Sequence, residues 1–544
     1  MKSPRLLVLA ALALCACTTE SIVYRTRPPF NPPPDSVNGF LGYFDVPAKT
    51  TTCGNCHVEN QGKWKTTKHA SAWGDLQASN HAASYCNNCH SVSQNGNRVG
   101  HPAGYAVKAD SAYHDVQCEN CHGPGLAHVQ NPVLATVPLA SANVDTGLVY
   151  TCAACHTGVH EPFVDQWKQS AHGSGPGYSA AAANPSCAPC HEGKAALQVK
   201  FGVTGKFLEK DSAGTLLRIT CVVCHDPHGS PYTAQLRADP STPSLDNLCV
   251  TCHSRSGTPP WSTASGATGT SRGAHGAQGL LVLGINVGWI PPGFTYDTNQ
   301  IVSSHGTAAN PNLCATCHVA RTTYTDSATG AFALQSVGHL FAATPCLDSA
   351  GLPTAGTDCA ASQRDFSACS SSSCHIGGPS VARSAFLTFH GRLDNLLDQI
   401  WTDTDSNKVV DPTDGGLIPQ MLARADSADS AQLNFSTNVT TVAKGALFNA
   451  ALAATDDRKN FLSGKLMGRT FSTHMASGNG VHNPFLLEAL LTSSITALKT
   501  TYGLAAPPID LRVHATRPPT VRVAAPKPGL VPARRAVAGG SGQR

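Results

Sequence analysis

One short pattern, Cys-x-x-Cys-His, occurs eight times between residues 53 and 318 and constrains the fold more than any other feature of the chain. Two cysteines at this spacing can form thioether bonds to both vinyl groups of one haem, while the adjacent histidine reaches the iron. The cysteines of the eight copies are Cys53 and Cys56, Cys86 and Cys89, Cys118 and Cys121, Cys152 and Cys155, Cys187 and Cys190, Cys221 and Cys224, Cys249 and Cys252, and Cys314 and Cys317. Each copy therefore predicts one covalently attached haem.

Structural zinc is the alternative, because Cys-x-x-Cys is also half of many zinc sites. Zinc does not need a histidine directly after every second cysteine, and chance would give far less than one copy of the full motif at this composition. The motif histidines are therefore predicted to be proximal iron ligands. They are His57, His90, His122, His156, His191, His225, His253 and His318.

Four cysteines follow the eight motifs. Cys369 and Cys374 precede His375 in a wider Cys-x4-Cys-His pattern, which is a variant of haem attachment and predicts a ninth haem with His375 as its proximal ligand. Cys346 and Cys359 would then form a disulfide, which an exported protein can keep. The alternative places Cys369 in a disulfide and leaves Cys374 single.

The apolar content of the chain is low for its length. Of the 544 residues, 41% are hydrophobic and only 6% are aromatic, which leaves little material for an ordinary core. Haems packed against one another would replace much of that core. We therefore predict a mainly α fold with extensive irregular loops, in which short helices wrap around a packed haem chain and β structure is scarce.

Composition also divides the chain into segments. Proline-rich residues 18–50 predict an extended tether. Residues 376–504 lack cysteine and show helical spacing, for example at Leu393, Leu397 and Ile400. The predicted segments are a signal peptide (1–17), the tether (18–50), a multihaem domain (51–375), a helical segment that completes it (376–504) and a disordered tail rich in Pro, Ala and Arg (505–544).

The N-terminus resembles the signal of an exported protein. Lys2 and Arg5 precede an apolar run, residues 6–14, that is too short to span a bilayer. Ala16 before Cys17 resembles the bacterial lipoprotein signal, in which a small residue precedes the lipidated cysteine; a plain secretory signal is the alternative. We expect a protein of the periplasm, outer membrane or cell surface that is anchored through Cys17.

The supply of histidines predicts the ligands on the other side of the irons. Fifteen of the 24 histidines remain after the nine motif histidines, and nine six-coordinate haems need nine of them. Only four methionines occur, so His/Met ligation cannot be general. Bis-histidine ligation closes both axial positions of the iron. The pattern therefore indicates electron transfer rather than substrate binding.

Two motifs carry a resemblance to known families. Cys118-Glu-Asn-Cys-His-Gly-Pro-Gly-Leu-Ala-His128 resembles the signature of the cytochrome c-554 family, which implies that His128 is a distal ligand. Cys221-Val-Val-Cys-His-Asp-Pro-His228, followed by the next Cys-x-x-Cys-His, resembles the doubled-CXXCH family, which implies that His228 ligates a neighbouring haem. The resemblance is to multihaem c-type cytochromes and covers roughly residues 50–490.

Further histidines resemble ligands through their surroundings. His69 and His172 end Trp-x-x-Ser/Thr-x-His segments that often donate a distal histidine, and Gly-Val-His482-Asn-Pro resembles a C-terminal motif of multihaem nitrite reductases. The predicted distal ligands are His69, His114, His128, His172, His228, His275, His305, His339 and His482. The reserves are His81, His101, His160, His390 and His474, and His514 is excluded with the tail.

An acidic segment after the helical spacing resembles a calcium-binding EF-hand loop. Oxygen ligands fall at loop positions 1, 3, 5, 9 and 12. These are Asp403, Asp405, Asn407, Asp411 and Asp414. Lys408 replaces the usual glycine, and Asp414 replaces the usual glutamate. The alternative is a solvated acidic turn that binds no ion.

The predicted function is electron relay through about nine covalent haems in an exported respiratory chain. The expected partners are other redox proteins or cytochromes and an extracellular electron acceptor. Nucleic acid is not expected, because haem propionates offset the formal charge of +4. One alternative is a multihaem reductase or oxidase of nitrite, hydroxylamine or a sulfur oxyanion with one open haem, although no Cys-x-x-Cys-Lys motif is present. The other is a subunit of a cytochrome filament.

Overall fold

The computed structural model describes residues 31–505 apart from short stretches. The stretches left out are 142–149, 176–180, 204–215, 264–269, 297–301, 327, 357–358, 372–373, 425–430, 436, 455–460, 462, 467–468 and 475–478. The predicted signal peptide, the lipidation site at Cys17, His514 and all but the first residue of the predicted tail lie outside the described residues.

Short helices joined by loops make up the cysteine-rich part of the chain. The α-helices are Val58–Trp64, Ala72–Ala78, Asn87–His90, Tyr105–Lys108, Cys118–His122, Leu126–Gln130, Phe163–Gln169, Ala171–Ser174, Ala188–His191, Gly193–Phe201, Cys221–Cys224, Gln278–Leu283, Cys314–His318 and Ser367–Ser370. The 3-10 helices are Cys53–Asn55, Lys68–Ser71, Ser84–Cys86, Ser111–Tyr113, Leu134–Thr136, Thr151–Ala154, Thr233–Gln235, Ser304–Gly306 and Ala361–Gln363. Glycine stops some of them: Gly202, with φ of +66°, caps Gly193–Phe201 in the left-handed region.

Within the described residues, the β structure consists of small open sheets. Three of them pair Tyr43–Asp45 with Thr50–Thr51, Thr322–Thr325 with Phe332–Ser336, and Cys346–Leu347 with Pro353–Thr354. The fourth has the order Ser262–Thr263, Thr270–His275, Arg469–His474, Ser463–Leu466. Its two central strands run parallel, with Thr470 opposite Thr270, and so link the cysteine-rich part to the C-terminal segment. The prediction of a mainly α, irregular fold is confirmed.

The end of the predicted tether is folded. Phe40 and Leu41 are buried, and the carboxylate of Glu119 accepts hydrogen bonds from the backbone N–H groups of Leu41 and Gly42 at 2.9 Å. The proline runs end at Pro34, and the apolar residues that follow can pack. Residues 35–50 are therefore folded, although they belong to the predicted 18–50 tether.

The largest apolar core belongs to the C-terminal segment. Its helices are Pro379–Ile400, Leu417–Ala423, Val442–Ala453, Asn479–His482 and Pro484–Tyr502. Leu393, Leu397 and Ile400, which lie on one face of the first of these helices, are each 0% exposed. Trp261 and Leu281 from the cysteine-rich part join the same core. Elsewhere the described residues form only small apolar clusters.

Local signals fix the ends of these core helices. The side chain of Asn483 accepts the N–H of Leu486 and caps the last helix, which starts with Pro484 and stops before Gly503 at φ of +60°. In the helix Val442–Ala453, Asn449 bonds both the N–H and the carbonyl of Trp289 at 2.8 Å. This pairing seats the indole of Trp289 against the helix.

Gly445 lies under the indole of Trp289, and a Cβ placed on Gly445 would overlap the ring. We expect Gly445→Ala to lower the free energy of unfolding by about 1–3 kcal/mol, because a packed core does not accept the extra volume. Thermal unfolding followed by circular dichroism measures the change.

Gly391→Ala is the matched control, since Gly391 lies in the helix Pro379–Ile400 and a Cβ there meets open space. Alanine should leave stability unchanged or raise it by up to about 1 kcal/mol through helix propensity. Equal destabilisation by both substitutions would contradict the packing described for Trp289.

Candidate haem centres

The nine motifs are numbered as sites in chain order. They are site 1 (53–57), site 2 (86–90), site 3 (118–122), site 4 (152–156), site 5 (187–191), site 6 (221–225), site 7 (249–253), site 8 (314–318) and site 9 (369–375). Helical turns bring the members of several motifs together. The helices Cys118–His122 and Cys314–His318 each begin at the first cysteine and end at the histidine. Residues four apart in a helix lie on one face, so cysteine and histidine can meet the same group.

The structure also sorts the four cysteines that follow site 8. Cys346 and Cys359 form a disulfide with their Cα atoms 6.0 Å apart. Cys369 and Cys374 remain thiols directly before His375. This arrangement leaves site 9 with the two thiols and one imidazole that haem attachment needs, and it does not show the alternative disulfide of Cys369.

A separation between imidazole rings tests whether the sites fit a haem iron. An imidazole nitrogen binds a metal at about 2.0 Å, and the ring centroid lies roughly 1.1 Å farther out, so two rings facing one iron have centroids roughly 6.2 Å apart. Seven motif histidines each face a second histidine with centroids 6.0–6.5 Å apart. The residues present therefore fit the predicted group.

These facing pairs belong to sites 3 to 9. In chain order of the motifs they are His122 with His228, His156 with His69, His191 with His275, His225 with His339, His253 with His172, His318 with His482, and His375 with His305. Each partner is one of the nine predicted distal ligands. The structure thus brings seven of those nine histidines opposite a motif histidine.

Backbone carbonyls orient several of the rings. The Nδ1 atoms of His122, His225 and His318 donate to carbonyl oxygens at 2.7–2.8 Å. On the opposite side, Nδ1 of His305 donates to the carbonyl of Val481 at 2.8 Å. A carbonyl can only accept, so the proton is held on Nδ1 and Nε2 is left to bind a metal.

Desolvation keeps several of the facing imidazoles neutral. It is the largest cause that lowers the pKa of His69, His172 and His339 to about 4, and neighbouring imidazoles contribute to the same shift. The pKa values of His253 and His318 are also lowered by desolvation. The neutral ring is the form that ligates a metal, so the electrostatics of the sites suit the predicted role.

Two phenylalanines that the sequence analysis did not single out hold these rings in place. Phe163 meets His156 and His339 edge-on at 5.5 and 4.8 Å, and Phe341 meets His172 edge-on at 4.7 Å. Aromatic residues are few in this chain, and both phenylalanines lie within seven residues of a predicted ligand in sequence. That closeness was the sequence signal that could have identified them.

Sites 1 and 2 differ from the others. Among the described residues, no second imidazole faces His57 or His90 at the separation found in sites 3 to 9. The ring of His114 instead stacks on Trp73, with centroids 4.0 Å apart. Nδ1 of His128 lies 3.4 Å from the hydroxyl of Thr136. The structure therefore does not bring these two predicted ligands opposite a motif histidine.

The reserve histidines lie apart from the motif histidines as far as the structure describes them. His81 is exposed, Nε2 of His101 lies 3.0 Å from the side-chain oxygen of Asn38, and His160 stacks against Phe332. His390 stacks on Phe386 at 4.9 Å. The side chain of His474 lies outside the described residues.

The acidic turn gathers three carboxylates. Oxygens of Asp403, Asp405 and Asp414 lie within 4.8 Å of one another, while the side chains of Asn407 and Asp411 accept backbone N–H groups of the turn. Asp414 also accepts hydrogen bonds from the indole of Trp401 at 2.9 Å and from the N–H of Thr404 at 3.0 Å. The turn is therefore held by its own hydrogen bonds, and calcium binding stays a hypothesis.

Sequence models of two families match parts of the chain. The family described as cytochrome c554 and c-prime matches residues 52–123, and the family described as doubled CXXCH motif matches residues 217–258. No curated protein matches the chain. An undecahaem cytochrome from the S-layer of Carboxydothermus ferrireducens is similar, with 20% identity and a TM-score of 0.37 over 71% of this chain. The alignment covers 50% of that protein, so the chain spans about half its length.

His339→Ala tests the facing pairs. Removing the imidazole opposite His225 should leave one iron five-coordinate, and one haem should change from low to high spin. Electron paramagnetic resonance of the oxidised protein measures the change. His81→Ala removes an exposed imidazole and should leave the spectrum unaltered. An unaltered spectrum of His339→Ala would contradict its placement as a ligand.

Proposed function

We propose that this chain, a multihaem c-type cytochrome, relays electrons through nine covalently bound haems in an exported respiratory chain. The observation that carries the proposal is the facing of two imidazoles at each of sites 3 to 9. Two histidines on one iron fill both axial positions and leave no position for a substrate. Electron transfer is the chemistry that such a centre retains.

When bound, the haem irons supply a reversible one-electron couple. The work of the chain is to hold and orient the ligands. Desolvated, neutral rings such as His172 and carbonyl-bound rings such as His318 are fixed before any change in charge. A fixed ligand set needs little rearrangement when an electron arrives, and this favours fast relay.

Export and anchoring through Cys17 complete the proposal. They are supported by the basic and apolar pattern of residues 1–17. Among the helices that the structure describes, none is long and apolar enough to cross a membrane. The proposed partners are other redox proteins on one side and an extracellular electron acceptor on the other. Calcium is not part of the proposed function, because the acidic turn has its own hydrogen bonds.

A reductase or oxidase with an open haem is the second candidate function. It is favoured by His57 and His90, which no imidazole faces among the described residues, and by an aromatic cluster of Trp73, Tyr105 and His114 near site 2. An open iron at either site could take nitrite, hydroxylamine or a sulfur oxyanion. A histidine of a second copy could instead complete such a site, which is the filament hypothesis.

Mass spectrometry of the mature protein, combined with a redox-resolved optical spectrum, tests the proposed function. We expect nine haem masses, a lipid on Cys17 and reversible reduction of every haem. Reduced protein should return its electrons to a soluble ferric chelate. A colourless protein, or zinc held by the motif cysteines, would overturn the proposal, and rapid turnover of nitrite or hydroxylamine would favour the enzyme.

The double variant Cys369→Ser with Cys374→Ser is the matched control for the number of haems counted by mass spectrometry. These two thiols belong to site 9 alone, so the variant should lose one haem mass and retain the other eight. An unchanged mass would show that site 9 carries no haem, while leaving the relay through the remaining sites in place.

A further inference from the structure

Contacts between cysteines of different motifs show which sites are neighbours. A thioether sulfur lies at the edge of the porphyrin, so two touching sulfurs bring the edges of two haems together. Thiols of different motifs lie next to one another in five pairs, namely Cys53 with Cys118, Cys89 with Cys155, Cys152 with Cys221, Cys190 with Cys252, and Cys249 with Cys314. The sulfur of Cys118 also lies 3.7 Å from the hydroxyl of Thr51, just before Cys53, and Cys152 and Cys221 pack against one apolar cluster. These contacts connect site 1 to 3, site 2 to 4, site 4 to 6, site 5 to 7, and site 7 to 8.

Wider separations supply the remaining connections. Cys155 lies near Cys121, which links sites 4 and 3, and Cys252 lies near Cys224, which links sites 7 and 6. Cys317 of site 8 interacts with Cys369 and Cys374 of site 9. All nine sites are thereby connected to one another.

Hydrogen bonds to the backbone support the same neighbours. The thiol of Cys89 lies 3.9 Å from the carbonyl of Ala154, between sites 2 and 4. Arg255, next to site 7, donates to the carbonyl of Ser186 at 3.1 Å, next to site 5. Gly96 accepts the N–H of Thr151 beside site 4 at 2.8 Å and lies against the carbonyl of Asn120 in site 3.

Three features of the sequence recur at one offset in a way that matches this arrangement. The same 103-residue offset separates Trp64 from Trp167, His69 from His172 and Cys118 from Cys221. The two indoles make equivalent hydrogen bonds. Trp64 donates to the carbonyl of Val116 and Trp167 to that of Ile219, each at 2.9 Å, across 52 residues, and just before a motif.

The connections repeat three sites farther along the chain. In the first copy, site 1 meets site 3, site 3 meets site 4, and site 2 meets site 4. In the second copy, site 4 meets site 6, site 6 meets site 7, and site 5 meets site 7. The facing histidines repeat as well, because His69 faces His156 of site 4 and His172 faces His253 of site 7.

We propose that the nine sites form a branched line built from a duplicated three-site unit. The line runs through sites 1, 3, 4, 6, 7, 8 and 9, and sites 2 and 5 are side branches that join it at sites 4 and 7. The inference rests on the proposed relay function and adds the route to it. Electrons crossing the molecule pass site 6 and do not need site 5.

The positions of the irons test the route directly. Anomalous diffraction from crystals of the haem-loaded protein locates each iron. We expect the iron of site 2 to be nearest that of site 4, the iron of site 5 to be nearest that of site 7, and the others to follow the line. An iron of site 2 or 5 lying between two irons of the line would overturn the proposal, although the protein could still relay electrons.

Two matched variants test the consequence of the route. Cys187→Ser with Cys190→Ser removes the haem of a branch, and Cys221→Ser with Cys224→Ser removes one from the line. Current through single molecules held between two electrodes should persist in the first variant and fall to that of haem-free protein in the second. Mass spectrometry verifies the loss of one haem in each. Equal currents in the two variants would contradict the branch, and absence of current in the parent protein would contradict the relay itself.

Discussion

The facing of two imidazoles from distant parts of the chain is the constraint on which the structure depends. His69 faces His156, His122 faces His228, and the ring of His318 meets that of His482 at 6.2 Å. If an iron joins each pair, every centre is a cross-link between segments that are far apart in sequence. Metal binding of this kind contributes to folding, because an unfolded chain cannot present both ligands at once.

Two kinds of interior coexist in the molecule. The cysteine-rich part holds small apolar clusters between its sites, such as the one around Trp167. The C-terminal helices instead pack a continuous core that includes Leu447 and Leu490. The two parts are joined by the parallel strands Thr270–His275 and Arg469–His474 and by His482, which lies between core helices of the C-terminal segment but faces a motif histidine.

The sequence predicts the attachment sites because covalent chemistry requires a fixed spacing, and its low apolar content predicts an irregular, mainly α fold. It cannot say which motif histidine each predicted distal histidine faces, because a facing histidine is positioned by tertiary contacts rather than by its neighbours in sequence. His114 illustrates this, since its ring stacks on Trp73. The apolar core of the C-terminal segment could not be predicted from the composition of the whole chain, because an average does not show that leucines concentrate in one segment. The prolines within residues 18–50 predict an extended tether, and this pattern gives no indication that Phe40 is buried.

The hydrogen bond from His305 to the carbonyl of Val481 has a consequence for the last two centres. His305 faces site 9, while the residue after Val481 is His482, which faces site 8. One peptide unit therefore supports the ligand of one centre and carries the ligand of the next. A shift of the short helix Asn479–His482 would disturb both irons together, so the redox properties of these two centres should vary as a pair.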